Sequence, residues 1–276
     1  MLSRLFSLVC AGLALGAGLV FAQPEAASKG AAGKFYVAEL TGSAQVRIGE
    51  RILELTESAV FDAEGAYLES KADSSYAIVL SNGVGLNFAP ATQLRINRFL
   101  QDPFPSNREN LDSEPSRTRT RALLTGGTLG ICGGQSVPGS SMEYDTPHGS
   151  VSLLGQNTLR AVISVSDEAT IVSLFAGSAT LRGEKMTGGE SLLAGQQARL
   201  RSRGPTQPAE IIIGTLPSEG AEPLEDIANG ACQARRKVFF DTTGEEAGPA
   251  GPTLFAVPVD PVDPTEVGPA ASVARP

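Results

Sequence analysis

The chain is predicted to be all-β, with many short strands forming a sandwich or a β-solenoid-like stack and a disordered, acidic, Pro-rich tail. Three observations lead there. Gly (31) and Pro (18) are abundant, while aromatics make up only 5% and Trp is absent, a composition of turns and short strands rather than packed helices. Apolar side chains recur at alternate positions over long stretches. Gly, Asn-Gly or charged residues interrupt these stretches at intervals of about 8 to 12 residues, a spacing typical of all-β domains.

Residues 1–22, MLSRLFSLVCAGLALGAGLVFA, combine an early Arg4, an apolar run from Leu5 to Phe21 and a small-residue ending at Ala22. That is the pattern of a cleaved signal peptide, so an exported mature protein with no membrane insertion is expected, periplasmic or secreted.

The main domain is expected over 35–203. FYVAEL, SAQVRI and ILELTESAVF read as successive strands. In Ser75 to Asn87, Tyr76, Ile78 and Leu80 fall on one face and Ala77 and Val79 on the other, ahead of Asn82-Gly83. Asn-Gly supplies the positive φ angles of a two-residue hairpin turn, so this stretch reads as a β-hairpin. Residues 101–121, with three prolines and mixed charges, break the rhythm and read as a flexible loop excursion from the sheet. Strands are expected again from Ala122 to about Arg201. Leu159, Ala161, Ile163 and Val165 share one side, Asp167-Glu168 forms a turn, and apolar residues on both faces suit strands covered on two sides.

A local echo runs through these segments. LTGSAQVR (40–47) and FAGSATLR (175–182) share Gly-Ser-Ala and a final Arg, with weaker relatives LTGGTLGI (124–131) and LAGQQARL (193–200). Gly42, Gly126, Gly177 and Gly195 are therefore expected to make tight bends that admit the next strand. The spacing is irregular, which supports repeated strand-turn units but no strict-period solenoid. Residues 204–240 are expected to add an accessory strand, AEIIIGTL, and a short helix in PLEDIANGACQARRKVFF. Its acids lead and its basic residues trail, the order that a helix dipole favours. From 241 to 276, seven prolines and six acids leave little apolar surface to offset the entropy of ordering, and disorder is expected.

Charge and residue inventory narrow the function. A formal net charge of −8 is poorly suited to nucleic acid, which is held by neutralising phosphates with Lys and Arg. Arg199, Arg201 and Arg203 share one strand face and are expected to be solvated. Outside the leader only Cys132 and Cys232 remain. They are disulfide candidates, and a bridge across their sequence separation of 100 would contribute roughly 4 to 5 kcal/mol in the chain-entropy model. Two buried thiols or a pairing between chains are the alternatives.

One histidine, His148, rules against a histidine-rich metal centre, and no cofactor is expected. Gly126 to Gly134 lacks the Lys-Ser/Thr ending of a phosphate loop. Gly134, Ser136 and Pro138 only approach a nucleophile elbow, since Pro stands where the second Gly belongs. A hydrolase built on Asp145, His148 and a nearby serine is the minority expectation, with Asp167 or Glu168 as further acids. In YDTPHGS, Pro147 fixes φ and Gly149 permits a positive value, so His148 is expected at the solvated tip of a bend.

The segments SYAIVLSNGVGLNFAPATQLRI, GGTLGI, MEYDTPHGSVSLLGQNTLRAVISV, TIVSLFAGSATLRG and SLLAGQQARL resemble FecR-like domains in content and order. The resemblance covers about 35–203. Anchored relatives carry this domain in the periplasm, between an outer-membrane iron transporter and a cytoplasmic anti-sigma segment. Here a signal peptide stands in place of the anti-sigma helices and membrane span, and Gly155-Gln156-Asn157 replaces the common Arg-Gly-Thr. The resemblance thus implies an exported, non-enzymatic β domain that binds, scaffolds or senses through protein or cell-envelope contacts. Iron-linked signal sensing is the alternative within the family.

Overall fold

A computed structural model describes residues 31–106, 112–183, 189–204, 209–218, 221–243 and 253–259. The expected leader lies outside them. In chain order the strands are β1 (Ala31–Ala32), β2 (Lys34–Thr41), β3 (Ala44–Ile48), β4 (Arg51–Glu54), β5 (Val60–Asp62), β6 (Ala66–Ser70) and β7 (Ser75–Leu80). Next come β8 (Gly85–Phe88), β9 (Gln93–Gln101), β10 (Thr118–Gly133), β11 (Ser141–Thr146), β12 (Gly149–Leu154), β13 (Leu159–Val165) and β14 (Thr170–Ala176). The last are β15 (Ser178–Gly183), β16 (Glu190–Leu193), β17 (Gln196–Arg201) and β18 (Glu210–Thr215), then helix α1 (Glu222–Arg235), β19 (Val238–Thr243) and β20 (Thr253–Pro258).

The strands form two large sheets, and the all-β expectation is met. The front sheet runs β4-β3-β6-β9-β10-β11-β12-β15-β16, with β1 on the end of β9. The back sheet runs β5-β2-β7-β8-β10-β13-β14-β17-β18. Only β10 belongs to both. From β11 onward, hairpins alternate between front and back, and β12 pairs with β15 as β14 pairs with β17. The result is a sandwich assembled in the order of a solenoid, so both sequence-based descriptions apply in part.

The echoed glycines mark the corners where the chain changes sheet. Gly42 leads β2 into β3, Gly177 leads β14 into β15 and Gly195 leads β16 into β17, with φ of +81°, +92° and +82°. Within β10 the left-handed residue is Gly127 (φ +86°) rather than the expected Gly126. Here a side chain is excluded on two counts, because a Cβ on Gly127 would also lie 2.4 Å from Thr92 Cα.

Between the sheets, alternate residues of nearly every strand fill one core. Tyr76, Ile78 and Leu80 enter it from β7, and Leu159, Ala161, Ile163 and Val165 from β13. Tyr76 stacks on Phe88 at 4.4 Å between ring centroids. The β7–β8 connection differs from the two-residue turn expected. Leu80 donates its N–H to the carbonyl of Val84, leaving Ser81, Asn82 and Gly83 as a three-residue loop. Gly83 alone takes a positive φ, +82°, the form in which a type I turn ends in one left-handed residue.

The outer face of the back sheet is covered over β2, β7, β8, β10 and β13, while β17 and β18 keep Arg199 and Ile212 exposed. Helix α1 crosses β7, β8, β10 and β13 with Ala228, Ala231 and Ala234 buried beneath it. Its approach is set by glycine. A Cβ on Gly85 would meet the Ala231 carbonyl oxygen at 2.1 Å, and one on Gly130 the Ile227 carbonyl oxygen at 2.3 Å. Gly230, which weakens the helix intrinsically, leaves the room that Asn87 fills, and the Asn87 amide donates to the Ile227 carbonyl at 3.0 Å. Cys132 at the end of β10 is bridged to Cys232 in the helix, with Cα atoms 5.0 Å apart.

Two boundaries need correction. Disorder was expected throughout 241–276, yet β19 and β20 pair as an antiparallel ribbon from Val238↔Pro258 to Thr243↔Thr253. The ribbon buries Val238, Phe240 and Leu254 against Tyr36, Ala77 and Val79 of the back sheet, so a few apolar residues outweigh the polar composition around them. Residues 244–252 and 260–276 lie outside the described set. Strand β18 lies where AEIIIGTL was expected to add a strand, at the edge of the back sheet beside β17. The excursion at 101–121 is shorter than expected, because β9 runs to Gln101 and β10 begins at Thr118; Phe104 and Glu114, both 7% exposed, anchor its described part.

Two measurements check this account. Replacing both cysteines by Ser should cost about 2 to 5 kcal/mol in denaturant unfolding. Gly130→Ala, which pushes the helix backbone off the sheet, should cost about 1 to 3 kcal/mol with the disulfide intact, and a neutral result would refute the close-docking account.

Candidate functional site

The sequence-predicted candidates do not assemble into one cleft. Asp145 lies on the outer face of the front sheet, where Arg121 grips it through Nε at 2.7 Å and Nη2 at 3.2 Å. Ser136 is tied to Gly155, whose N–H donates to its hydroxyl at 3.2 Å. Asp167 and Glu168 form the β13–β14 turn. Among the described residues, the imidazole of His148 meets Thr170 and the Asp167 backbone rather than any of these side chains.

His148 itself is a correction. It was expected at a solvated tip, but only 4% of it is exposed. Pro147 and His148 connect β11 to β12, with Thr146 paired to Gly149 (φ +148°). The bend folds inward over the start of β14, so Nδ1 lies 3.0 Å from Thr170 Oγ1 and Nε2 lies 3.4 Å from the Asp167 carbonyl oxygen. Thr170 donates on to Thr146 at 2.9 Å, and Thr146 to the Gly149 carbonyl at 2.8 Å. This chain of hydroxyls satisfies buried polar groups and locks two turns together.

A second buried polar cluster surrounds the β7–β8 loop. Asn82 is 2% exposed; its amide donates to Glu114 Oε1 and to Thr118 Oγ1, each at 3.3 Å. Glu114 also accepts from the Thr118 hydroxyl at 3.0 Å and from the Val137 N–H at 3.1 Å. Ser81 donates to Gln101 at 2.6 Å, and Arg235 of the helix donates to the Gly83 carbonyl at 3.1 Å. Burial lowers the pKa of that guanidinium, against the opposing charge of Asp112. The cluster is built from groups that satisfy one another. Among the described residues, no group of three or more His, Cys, Asp or Glu side chains is placed to hold a metal ion.

The outer face of the front sheet is open along its length, and no described helix or ribbon covers it. Cross-strand register places Ile52, Arg47, Tyr67, Arg95, Leu123, Asp145, Ser150 and Arg182 in one row. The next row sets Arg98 opposite Arg121, followed by Glu143 and Ser152. Beyond it, Leu100 faces Arg119. Arg47, Gly49, Glu50, Ile52, Gly65, Tyr67 and Arg95 line an open hollow of about 600 Å³. Arg47 sits 4.8 Å over the Tyr67 ring, a cation–π contact that holds the guanidinium flat on the sheet. The Tyr67 hydroxyl is raised in pKa by burial and then by Glu69, against a lowering by Arg47. The hydrogen bond from Arg121 to Asp145 raises the arginine's pKa further, with Asp145 and Glu143 adding charge.

Sequence reasoning missed this face. Its arginines come from β3, β9 and β10, which are far apart in the chain. One local signal pointed to it: Arg117-Thr118-Arg119-Thr120-Arg121 keeps strand alternation inside the segment read as a loop. Arg199, Arg201 and Arg203, by contrast, are exposed as expected, with Arg203 paired to Glu210.

No family model and no curated protein matches the chain. Among solved structures, two crystal structures described as a candidate anti-sigma factor from Parabacteroides distasonis are similar to it. The first has 13% identity and a TM-score of 0.41, covering 58% of this chain and 64% of that one. The second has 14% identity and the same TM-score of 0.41, covering 56% and 62%. The chain therefore spans less than two thirds of the length of either.

The two buried clusters make separate stability predictions. His148→Ala should lower unfolding free energy by about 1 to 3 kcal/mol, because Thr170 and the Asp167 carbonyl lose a partner. Glu114→Ala, which strands the Asn82 amide and the Val137 N–H, should cost a similar amount. Equilibrium denaturation checks both, and wild-type stability in either variant would show that its cluster is solvated.

Proposed function

We propose that the chain is an exported, non-enzymatic β domain that works by binding a protein or another cell-envelope component, in a sensing or scaffolding role like that of the FecR-like domains it resembles. The observation that carries this reading is the inequality of the two outer faces. The back face is covered over β2, β7, β8, β10 and β13 by a helix and ribbon, held by a disulfide suited to an oxidising compartment. The front face stays bare and carries arginine, tyrosine and leucine, residues able to anchor a partner.

A sheet edge adds a second means of contact. Among the described residues β18 pairs with β17 alone, and Ile211, Ile212 and Ile213 follow one another with no Lys or Pro. Edges lacking such protection are open to main-chain pairing with another strand. Asp145, Ser136 and His148, meanwhile, are engaged in the structural contacts described above, which favours binding over turnover.

The test uses the purified mature chain as bait on envelope extract. One discrete component should be retained, competed off by free mature chain, and should capture the chain in the reciprocal experiment, while ester and glycan substrates remain unconverted. Turnover of any such substrate, or failure to retain a competable component, would refute the proposal.

A further inference from the structure

Strands β9 and β10 place four arginines, Arg95, Arg98, Arg119 and Arg121, on the bare face of the front sheet and no acid among them. Arg98 stands directly across from Arg121. Like charges directly opposed on neighbouring strands destabilise a sheet, and the acidic help available is limited. Asp145 is committed to Arg121, which also has Glu143 directly across from it, while Arg95, Arg98 and Arg119 form no ion pair among the described residues and are exposed. A chain with a formal charge of −8 thus concentrates unneutralised cations on one patch. Each of them is arginine, whose planar fork matches a carboxylate in two hydrogen bonds, as Arg121 already does with Asp145.

We propose that this arginine strip is a docking surface for an extended acidic segment of a partner protein. The assignment rests on reading the chain as a binding module and names the chemistry of its partner. Pitch supports it. Arg119 and Arg121 are alternate residues of one strand, so they lie about 7 Å apart, the same repeat at which an extended peptide presents every second side chain. Composition supports a peptide over a phosphate polymer: Leu100 faces Arg119 and Leu123 faces Arg95. Acidic and apolar side chains in alternation would meet both, whereas a polyphosphate offers nothing to the leucines.

The probe is a labelled synthetic peptide of about ten residues alternating Glu and Leu, a length matched to a strand of the sheet, titrated against the full mature chain by fluorescence anisotropy. Binding should weaken steeply as salt rises from about 0.05 to 0.5 M. It should fall at least about tenfold in the Arg98→Glu, Arg119→Glu double variant and stay unchanged in Arg199→Glu on the back sheet, whose arginine lies outside the strip. The double variant should keep its disulfide and melting midpoint, since Arg98→Glu sets an acid opposite Arg121. No binding of the peptide, equal binding by the folded double variant, or displacement of the peptide by linear polyphosphate at far lower concentration than by unlabelled peptide would each overturn the assignment. Envelope capture that survives the double substitution would overturn the strip while leaving the binding function standing. Loss of envelope capture from the wild-type chain itself, with peptide binding intact, would have the reverse meaning.

Discussion

Strand β10 is the constraint on which the rest of the structure depends. It pairs with β9 and β11 in the front sheet, then with β8 and β13 in the back sheet. One strand can serve both only if its backbone turns sharply midway, and Gly127 permits this where any side chain would strike Thr92. The N-terminal strands lie on one side of β10 and the alternating hairpins on the other. Through that single element the two halves acquire a common core, and its last residues carry Gly130 and Cys132 to the helix. The helix that covers the back face is thus fastened to the strand that joins the sheets.

This fastening makes the molecule two-sided. On the back, close backbone packing at Gly85 and Gly130 seats the buried alanines of the helix, and the ribbon extends the cover over Tyr36 and Val79. On the front, the outward residues are long, charged and variably paired. A cation held over Tyr67 and a forked pair at Asp145 show how such side chains can be ordered without burial. The same division explains why His148 and Glu114 are poor candidates for chemistry. Each is spent closing a turn against its neighbour.

Much of this fold is legible in the sequence because strand alternation survives wherever both faces have a role. Leu159, Ala161, Ile163 and Val165 point to one core, and Ala77 and Val79 to a second cover. The repeated Gly-Ser-Ala segments announce corners, although Gly126-Gly127 offers two candidates and only three-dimensional crowding selects the second. The acidic start and basic end of the α1 segment suit a helix, but its docking could not be read, because the glycines that admit it are far away at 85 and 130. Burial of His148 was hidden for a similar reason: a turn's sequence records its bend and not what the bend folds against. The C-terminal ribbon was masked by surrounding Pro and Glu, although VFFDTT and TLFAVP are each strand-like. The arginine face needed register, since residues 47, 95, 98, 119 and 121 become neighbours only once the sheet exists.

The position of the bridge orders events in time. Synthesis delivers Cys132 a hundred residues before Cys232, and by then every strand of both sheets has already emerged. Covalent closure is therefore a finishing step, applied by the late helix to a sandwich whose interior is complete. Until the helix and ribbon arrive, Tyr36, Ala77 and Val79 on the back of the sheet have no cover, so the last residues made are the ones that take this apolar floor out of water.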